Sequence, residues 1–282
     1  MENDLTNTRL AFVGCGVMAE SMIAGLLRKK LVAPEQIAAT HPRANRRADL
    51  AAKYNIGTFE NNAEAVEAIG KYENSIVALC VKPQRIDGVL RELENSVSPN
   101  QIVLSIVAGA KIETLSDALN NQKIIRAMPN TPSQIGAGIT AWTCTESVDE
   151  IERAQTKALL TALGKELYVE TENMIDMATS LSATGPTYIF MVMEALTDAG
   201  VHMGFSRETA KELVQETMLG SVKFAIESRR HPAELRNMVT SPGGTSAEAI
   251  YQMEKGGLRT VLSKAVYAAY QKAVALGRKG EK

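Results

Sequence analysis

The chain has 282 residues, a formal net charge of −1, 45% apolar and 22% charged residues, enough for one large or two ordinary globular domains. Near-neutral charge with no block of like sign excludes a polyanion-binding surface, so no nucleic-acid partner is expected. Three scattered cysteines and three histidines exclude a disulfide scaffold and a His-based metal cluster. The longest uncharged run, 177–193, is broken by Ser, Thr and Gly185-Pro186, so no membrane span is expected. Met1-Glu2-Asn3-Asp4-Leu5 lacks the regions of a signal peptide, and the isolated cysteines fit a reduced setting; the expected location is cytoplasmic.

Arg9 to Val13 reads as a short apolar strand running into Gly14-Cys15-Gly16-Val17-Met18-Ala19, after which Glu20 to Leu31 has helical period. Strand, G-x-G-x-x-A and helix in that order form a dinucleotide-binding fingerprint. Gly14 makes the turn, Gly16 lets a pyrophosphate approach the backbone, and Ala19 permits close helix–strand packing. A second strand is expected at 36–40. Dinucleotide proteins that use NAD carry an acidic residue near here for the ribose hydroxyl, but this chain has Thr40-His41-Pro42-Arg43, with Arg46 and Arg47 beyond. The missing carboxylate and the presence of Arg43 favour NADP, with NADH possible. The alternative is that these arginines merely occupy an exposed helix face.

The βα alternation continues. Strands are expected at 56–59, 75–81, 102–107 and 123–128, an edge strand at 138–142, and a last one at 166–169. Helices are expected at 86–93 and 112–119, with caps at Asn61-x-x-Glu64 and Ser147-x-x-Glu150 opening two more, to Ile69 and to about Leu163. The strand at 75–81 ends at Lys82-Pro83, on the carboxyl edge where open α/β sheets bind ligands. There Lys82 either meets a ligand or simply closes the strand.

Past Thr171 the strand signals stop, so the predicted fold class is α/β: a Rossmann doubly wound sheet over 1–170, followed by an all-helical domain over 171–282. Helices are expected at 174–181, 187–203, 206–227, 231–239 and 258–276, with a polar tail at 277–282. The 187–203 segment is apolar nearly all round, which demands burial on every side and hence a partner subunit. Between two of the helices lies Val239-Thr240-Ser241-Pro242-Gly243-Gly244-Thr245-Ser246. Pro and the glycine pair force a tight turn, and Thr245-x-x-Glu248 has the form of a capping box opening a helix at about Ser246. Free N–H groups at such a helix start suit a carboxylate or phosphate. No Ser-His-Asp set, carboxylate pair or metal cluster is apparent, which suits an enzyme whose cofactor carries the reactive hydride.

The segment 239–246 resembles the signature of the pyrroline-5-carboxylate reductases. The resemblance extends to Phe12-Val13-Gly14-Cys15-Gly16-Val17-Met18-Ala19, Val81-Lys82-Pro83, Arg126-Ala127-Met128-Pro129-Asn130-Thr131-Pro132 and Thr184-Gly185-Pro186, in family order over nearly the whole chain. It implies NAD(P)H reduction of 1-pyrroline-5-carboxylate to L-proline, the last step of proline biosynthesis. It also implies a homodimer interlocked through the helical domains, sometimes built into a decameric ring. On this resemblance the cofactor site comprises Val13, Gly14, Cys15, Gly16, Val17, Met18 and Ala19, then His41 and Arg43 at the 2′-phosphate end, with Asn62, Cys80, Val81, Lys82, Pro83 and Ala108. Substrate would meet Ser241, Pro242, Gly243, Gly244 and Thr245, with Met128, Pro129 and Asn130. Ser246 stands where the family commonly carries Thr, and its hydroxyl would orient or protonate the ring nitrogen. The alternative function is a β-hydroxy acid dehydrogenase-like NADP enzyme with a catalytic Lys in the helical domain, for which Lys211 and Lys223 are the candidates.

Overall fold

The computed structural model describes residues 5–277; most of the expected polar tail lies outside them. The chain divides into two compact units, one formed by residues up to Thr184 together with those from Ala269 onward, the other by Gly185–Ala268.

The first unit is built on one eight-stranded sheet: β1 (Arg9–Val13), β2 (Ile37–Thr40), β3 (Gly57–Phe59), β4 (Ser75–Leu79), β5 (Ile102–Ser105), β6 (Ile124–Met128), β7 (Gly138–Cys144) and β8 (Gly164–Tyr168), in the order β3-β2-β1-β4-β5-β6-β7-β8. The helices are α1 (Val17–Arg28), α2 (Ala44–Tyr54), α3 (Asn62–Gly70), α4 (Ile86–Leu93), α5 (Ile112–Leu119), α6 (Glu150–Thr161) and α7 (Glu172–Ala178). Strands β4, β5 and β6 are buried along their whole length; β4 and β5 accordingly read as apolar runs, while β6 carries the buried Arg126. Alternate residues feed two cores. Leu10, Phe12, Ile76 and Ala78 join Ile23 and Leu26 of α1, while Ala11, Val13, Val77 and Leu79 join Val66, Leu90 and Leu115. The strand order reverses between β1 and β4, opening a crevice at their carboxyl ends, where a doubly wound sheet receives its ligand.

Several expected boundaries shift for local reasons. β7 runs antiparallel to β6, and β8 pairs parallel to β7. The segment expected as an edge strand therefore lies inside the sheet, and the outer position belongs to β8. The cap of α6 is Asp149 rather than Ser147: Asp149 accepts from Glu152 N at 2.9 Å, and Glu152 returns a bond to Asp149 N at 3.0 Å. A turn closed by Val148 N on Thr145 O delays the helix by two residues. α7 ends in a π-helical turn, Thr179–Ala183, closed by Thr184 N on Thr179 O. By contrast Asn61 caps α3 as expected, accepting from Glu64 N.

The second unit contains α8 (Gly185–His202), α9 (Arg207–Ser228), α10 (Pro232–Met238), α11 (Thr245–Lys255) and the start of α12 (Leu258–Gly277). Ser206 and His231 cap α9 and α10. α8 and α9 approach closely at Gly200, where an added Cβ would lie 2.9 Å from that of Ala210. In the single chain α8 is not buried on every side: Phe190 is 57% and Met191 63% exposed. Ile189, Leu196, Leu219, Val222, Phe224 and Ile226 join them as exposed apolar side chains of α8 and α9. An apolar surface of that extent is the mark of an interface rather than of a solvated face.

Candidate active site

The turn after β1 is shaped by its glycines. Gly14 has φ +83°, and a Cβ there would meet Val81 Cγ1 at 2.4 Å, so β4's continuation presses directly on it. Gly16 has nothing within 4 Å of an added Cβ, leaving its backbone face open. Gly16 is the N-cap of α1 without any side-chain cap. The amides of Val17, Met18 and Ala19 have no partner among the described residues, while Glu20 N already donates to Gly16 O. Open backbone, free amides and the positive end of a twelve-residue helix fit a pyrophosphate. Ala19 is fully buried in the α1 core, as the fingerprint requires, while Val17 stays exposed beside the loop.

A polar relay fixes this turn. Thr40 Oγ1 accepts from Gly14 N at 2.9 Å and donates to Asn62 Oδ1 at 2.6 Å. Asn62 Nδ2 and N then donate to the two carboxylate oxygens of Glu92 at 2.7 and 2.9 Å. The Thr40 hydroxyl thus turns inward to the glycine turn and leaves the end of β2 without an acidic group. Cys15 is buried and its thiol is pushed up to about 12 by burial, with Glu20 adding to the effect and Arg46 opposing it. Burial raises the Cys80 thiol as well. Both cysteines are therefore neutral packing groups rather than nucleophiles.

Just past β2, His41 is joined to the sheet by its own N–H, which donates to Phe59 O at 3.2 Å. Its Nδ1 accepts from Arg43 N at 3.2 Å. Its pKa is lowered by burial first, then by the positive charges of Arg43 and Arg46. Arg47 donates to His41 O and Pro42 O at 2.8 and 3.0 Å and to Glu60 at 2.6 Å. Arg46 pairs with Glu20. The Arg43 guanidinium has no partner among the described residues, so of the three arginines it is the uncommitted cation.

At the other end of the crevice, Lys82 is exposed and starts the short 3-10 turn Pro83–Arg85. Ala108 packs with Met128, Ala141, Val169 and Ile175 in one small apolar cluster, which brings a predicted cofactor residue beside a predicted substrate residue. Pro129 is buried, and Asn130 Oδ1 accepts from Ile139 N at 3.0 Å, tying its loop to β7. Sequence reasoning missed what stands behind them. Arg126, fully buried in β6, donates to Glu172 at 2.8 Å and Asp176 at 2.6 Å on α7. Lys111 donates to the second oxygen of Asp176 at 2.9 Å, and Ile112 N to Glu172 at 2.9 Å. A charged residue inside an apolar strand was the available signal.

In the second unit, Gly244 N donates to Ser241 O at 3.0 Å, closing a β-turn with Pro242 and Gly243 at its centre. Gly243 takes φ +68°, the left-handed conformation that such a turn needs at its third residue. A Cβ on Gly244 would lie 2.5 Å from Ser241 Oγ and 3.2 Å from Ser241 O, so a side chain there would have to push Ser241 aside. The expected capping box does not form. Gly244 is the N-cap and α11 begins at Thr245, with no side-chain cap, because the turn brings the extended Gly244 backbone into that place. Glu248 instead accepts from Gln252 at 2.8 Å. Thr245 and Ser246 consequently occupy the first turn, and their amides have no partner among the described residues. Lys211 and Lys223 are both exposed on α9.

The family described as "Pyrroline-5-carboxylate reductase dimerisation" matches residues 172–276, and that described as "NADP oxidoreductase coenzyme F420-dependent" matches residues 9–109. A pyrroline-5-carboxylate reductase of Synechocystis sp. is 37% identical over 96% of this chain and 99% of its own length. The chain belongs to the pyrroline-5-carboxylate reductase family. A solved pyrroline-5-carboxylate reductase from Coxiella burnetii superposes with TM-score 0.85 at 33% identity, covering 96% of this chain and 99% of that one. A Plasmodium falciparum relative, solved with NADP bound, gives 0.86 at 28% identity over 96% and 98%. Family membership makes the protein an NADP-using oxidoreductase and accounts for the exposed apolar helices, which lie within the matched dimerisation region. No helix among the described residues is long and apolar enough to cross a membrane.

Proposed function

We propose that this family member reduces 1-pyrroline-5-carboxylate to L-proline with NADPH, NADH being the weaker donor, as the last step of cytoplasmic proline biosynthesis. The observation that carries the reading is the Ser241–Gly244 turn, which delivers two amides unpartnered among the described residues and the Ser246 hydroxyl at the start of an eleven-residue helix. Residues 1–170 act as the cofactor domain and residues 171–282 as the substrate-binding and dimerisation domain, with dimers assembling into a decameric ring.

The Gly14–Ala19 loop and the first amides of α1 hold the pyrophosphate, His41 and Arg43 hold the 2′-phosphate, and Asn62, Cys80–Pro83 and Ala108 line the remainder. NADPH bound there supplies a hydride for the imine carbon. Ser241 to Thr245 hold the substrate carboxylate through backbone N–H groups, where the helix dipole favours negative charge. Ser246 hydrogen-bonds the ring nitrogen and fixes which face of the imine is presented. An imine already protonated from solution needs no strong acid from the protein, which agrees with the absence of a histidine from this set.

Ser246→Ala tests the assignment. Loss of one hydrogen bond to a charged group lowers turnover about tenfold to a hundredfold and leaves NADPH affinity unchanged. Equal losses in turnover and NADPH affinity would overturn the role given to Ser246.

A further inference from the structure

The carboxylate of Glu20 lies outside the loop that meets the adenosine, yet it commands the charge there. Glu20 belongs to the first turn of α1 and accepts from three groups of α2: Arg46 in that helix's first turn, and Lys53 (3.0 Å) and Tyr54 (2.9 Å) in its last. Burial works to raise the Glu20 pKa, but the hydrogen bonds from Arg46, Lys53 and Tyr54 hold it at about 2. The carboxylate is thus charged at any physiological pH. Arg46 is close enough to the adenosine loop for its charge to act on His41. Arg47 is spent on His41 O, Pro42 O and Glu60. A dianionic phosphate arriving beside His41 therefore meets Arg43 at full strength and Arg46 with its charge largely cancelled.

We propose that Glu20 sets the NADPH-to-NADH selectivity by withholding Arg46 from the 2′-phosphate. The proposal rests on the reading of His41 and Arg43 as the 2′-phosphate site. Glu20→Gln keeps the shape and an acceptor for Tyr54 but removes the charge, releasing Arg46. Glu20 also stands one turn from the pyrophosphate end of α1, since its N–H donates to Gly16 O. That contribution is common to both cofactors and cancels in their ratio. Only the 2′-phosphate term remains.

The test is a fluorescence titration of NADPH and NADH against the full-length wild type, Glu20→Gln, Arg46→Met, the double variant and Arg43→Ala. Returning one charge to the neighbourhood of a dianion, within a Debye length of about 8 Å, should raise the NADPH-to-NADH affinity ratio about threefold to tenfold in Glu20→Gln. Arg46→Met leaves Glu20 paired with Lys53 alone and should lower the ratio less than Arg43→Ala does, and the double variant should lose the gain of Glu20→Gln. A structural role for Glu20 would weaken both cofactors alike and leave the ratio fixed, which overturns the proposal. So would an Arg46→Met ratio that falls as far as that of Arg43→Ala. If Arg43→Ala itself leaves the ratio unchanged, the reading of the loop falls, and the proposal with it. If Arg43→Ala lowers the ratio while Glu20→Gln does not raise it, the loop reading stands and the proposal alone fails.

Discussion

The ionic cluster behind β6 makes a quantitative prediction. Arg126 and Lys111 face Glu172 and Asp176, two positive charges against two negative, with Arg126 and Asp176 essentially inaccessible. Asp176→Asn preserves the shape but leaves two cations facing one carboxylate. It also puts an NH2 donor where one of two donors, Arg126 Nη2 or Lys111 Nζ, now finds an acceptor. Arg126 already carries a buried Nε with no partner among the described residues, so it has no spare contact there to fall back on. Removing one side of a buried pair costs about 3–5 kcal/mol. For a unit of this size, where 1 kcal/mol shifts Tm by about 2–4 °C, the loss is roughly 10 °C. The pair Arg126→Met with Asp176→Leu should recover most of it, because apolar replacement removes both desolvation penalties together. Lys111 and Glu172 are partly exposed and can turn to water. Calorimetry of the three proteins decides. A loss below about 1 kcal/mol for Asp176→Asn, or a double variant no more stable than Asp176→Asn, would refute the reasoning.

Two more outcomes follow from single residues. Gly14→Ala must accept φ +83° and a Cβ 2.4 Å from Val81 Cγ1, so NADPH affinity should fall at least about tenfold from displacement of the loop; unchanged affinity would show that the loop does not hold the cofactor. Because the Glu20 pKa is held at about 2 against an ordinary 4.5, its contribution to stability is complete above the ordinary value and is lost as pH falls toward 2. Denaturant midpoints across that window should fall less steeply in Glu20→Gln than in the wild type, and parallel curves would contradict the pairing.

What the sequence made legible was periodicity and turn chemistry. The buried strands β4 and β5 begin, and helices α4 and α5 run, where the apolar pattern placed them, because burial on both faces or on one stripe leaves a periodic trace. The first glycine turn was legible because φ > 0 and close approach each demand Gly. Interior polar geometry was not. Thr40 could be read only as the absence of an acid, whereas its hydroxyl joins Gly14 to Asn62 across 26 and 22 positions. Likewise Arg126 and Asp176 lie 50 residues apart, and no local pattern links them. The Thr245–Glu248 capping box failed for a different reason: two adjacent glycines allowed the turn to supply the helix start without any side chain. The apolar wrap of α8 was read as a demand for burial that one chain does not meet, since Phe190 and Met191 stay exposed within the region that matches the dimerisation family.

The most direct measurement follows NADPH absorbance with the purified protein, with and without 1-pyrroline-5-carboxylate, and then with β-hydroxy acids and NADP⁺. The account predicts rapid oxidation that depends on the imine and yields proline, with no reaction toward β-hydroxy acids. NADPH that binds but is not consumed by the imine would contradict it, and reduction of NADP⁺ by a β-hydroxy acid would contradict it further.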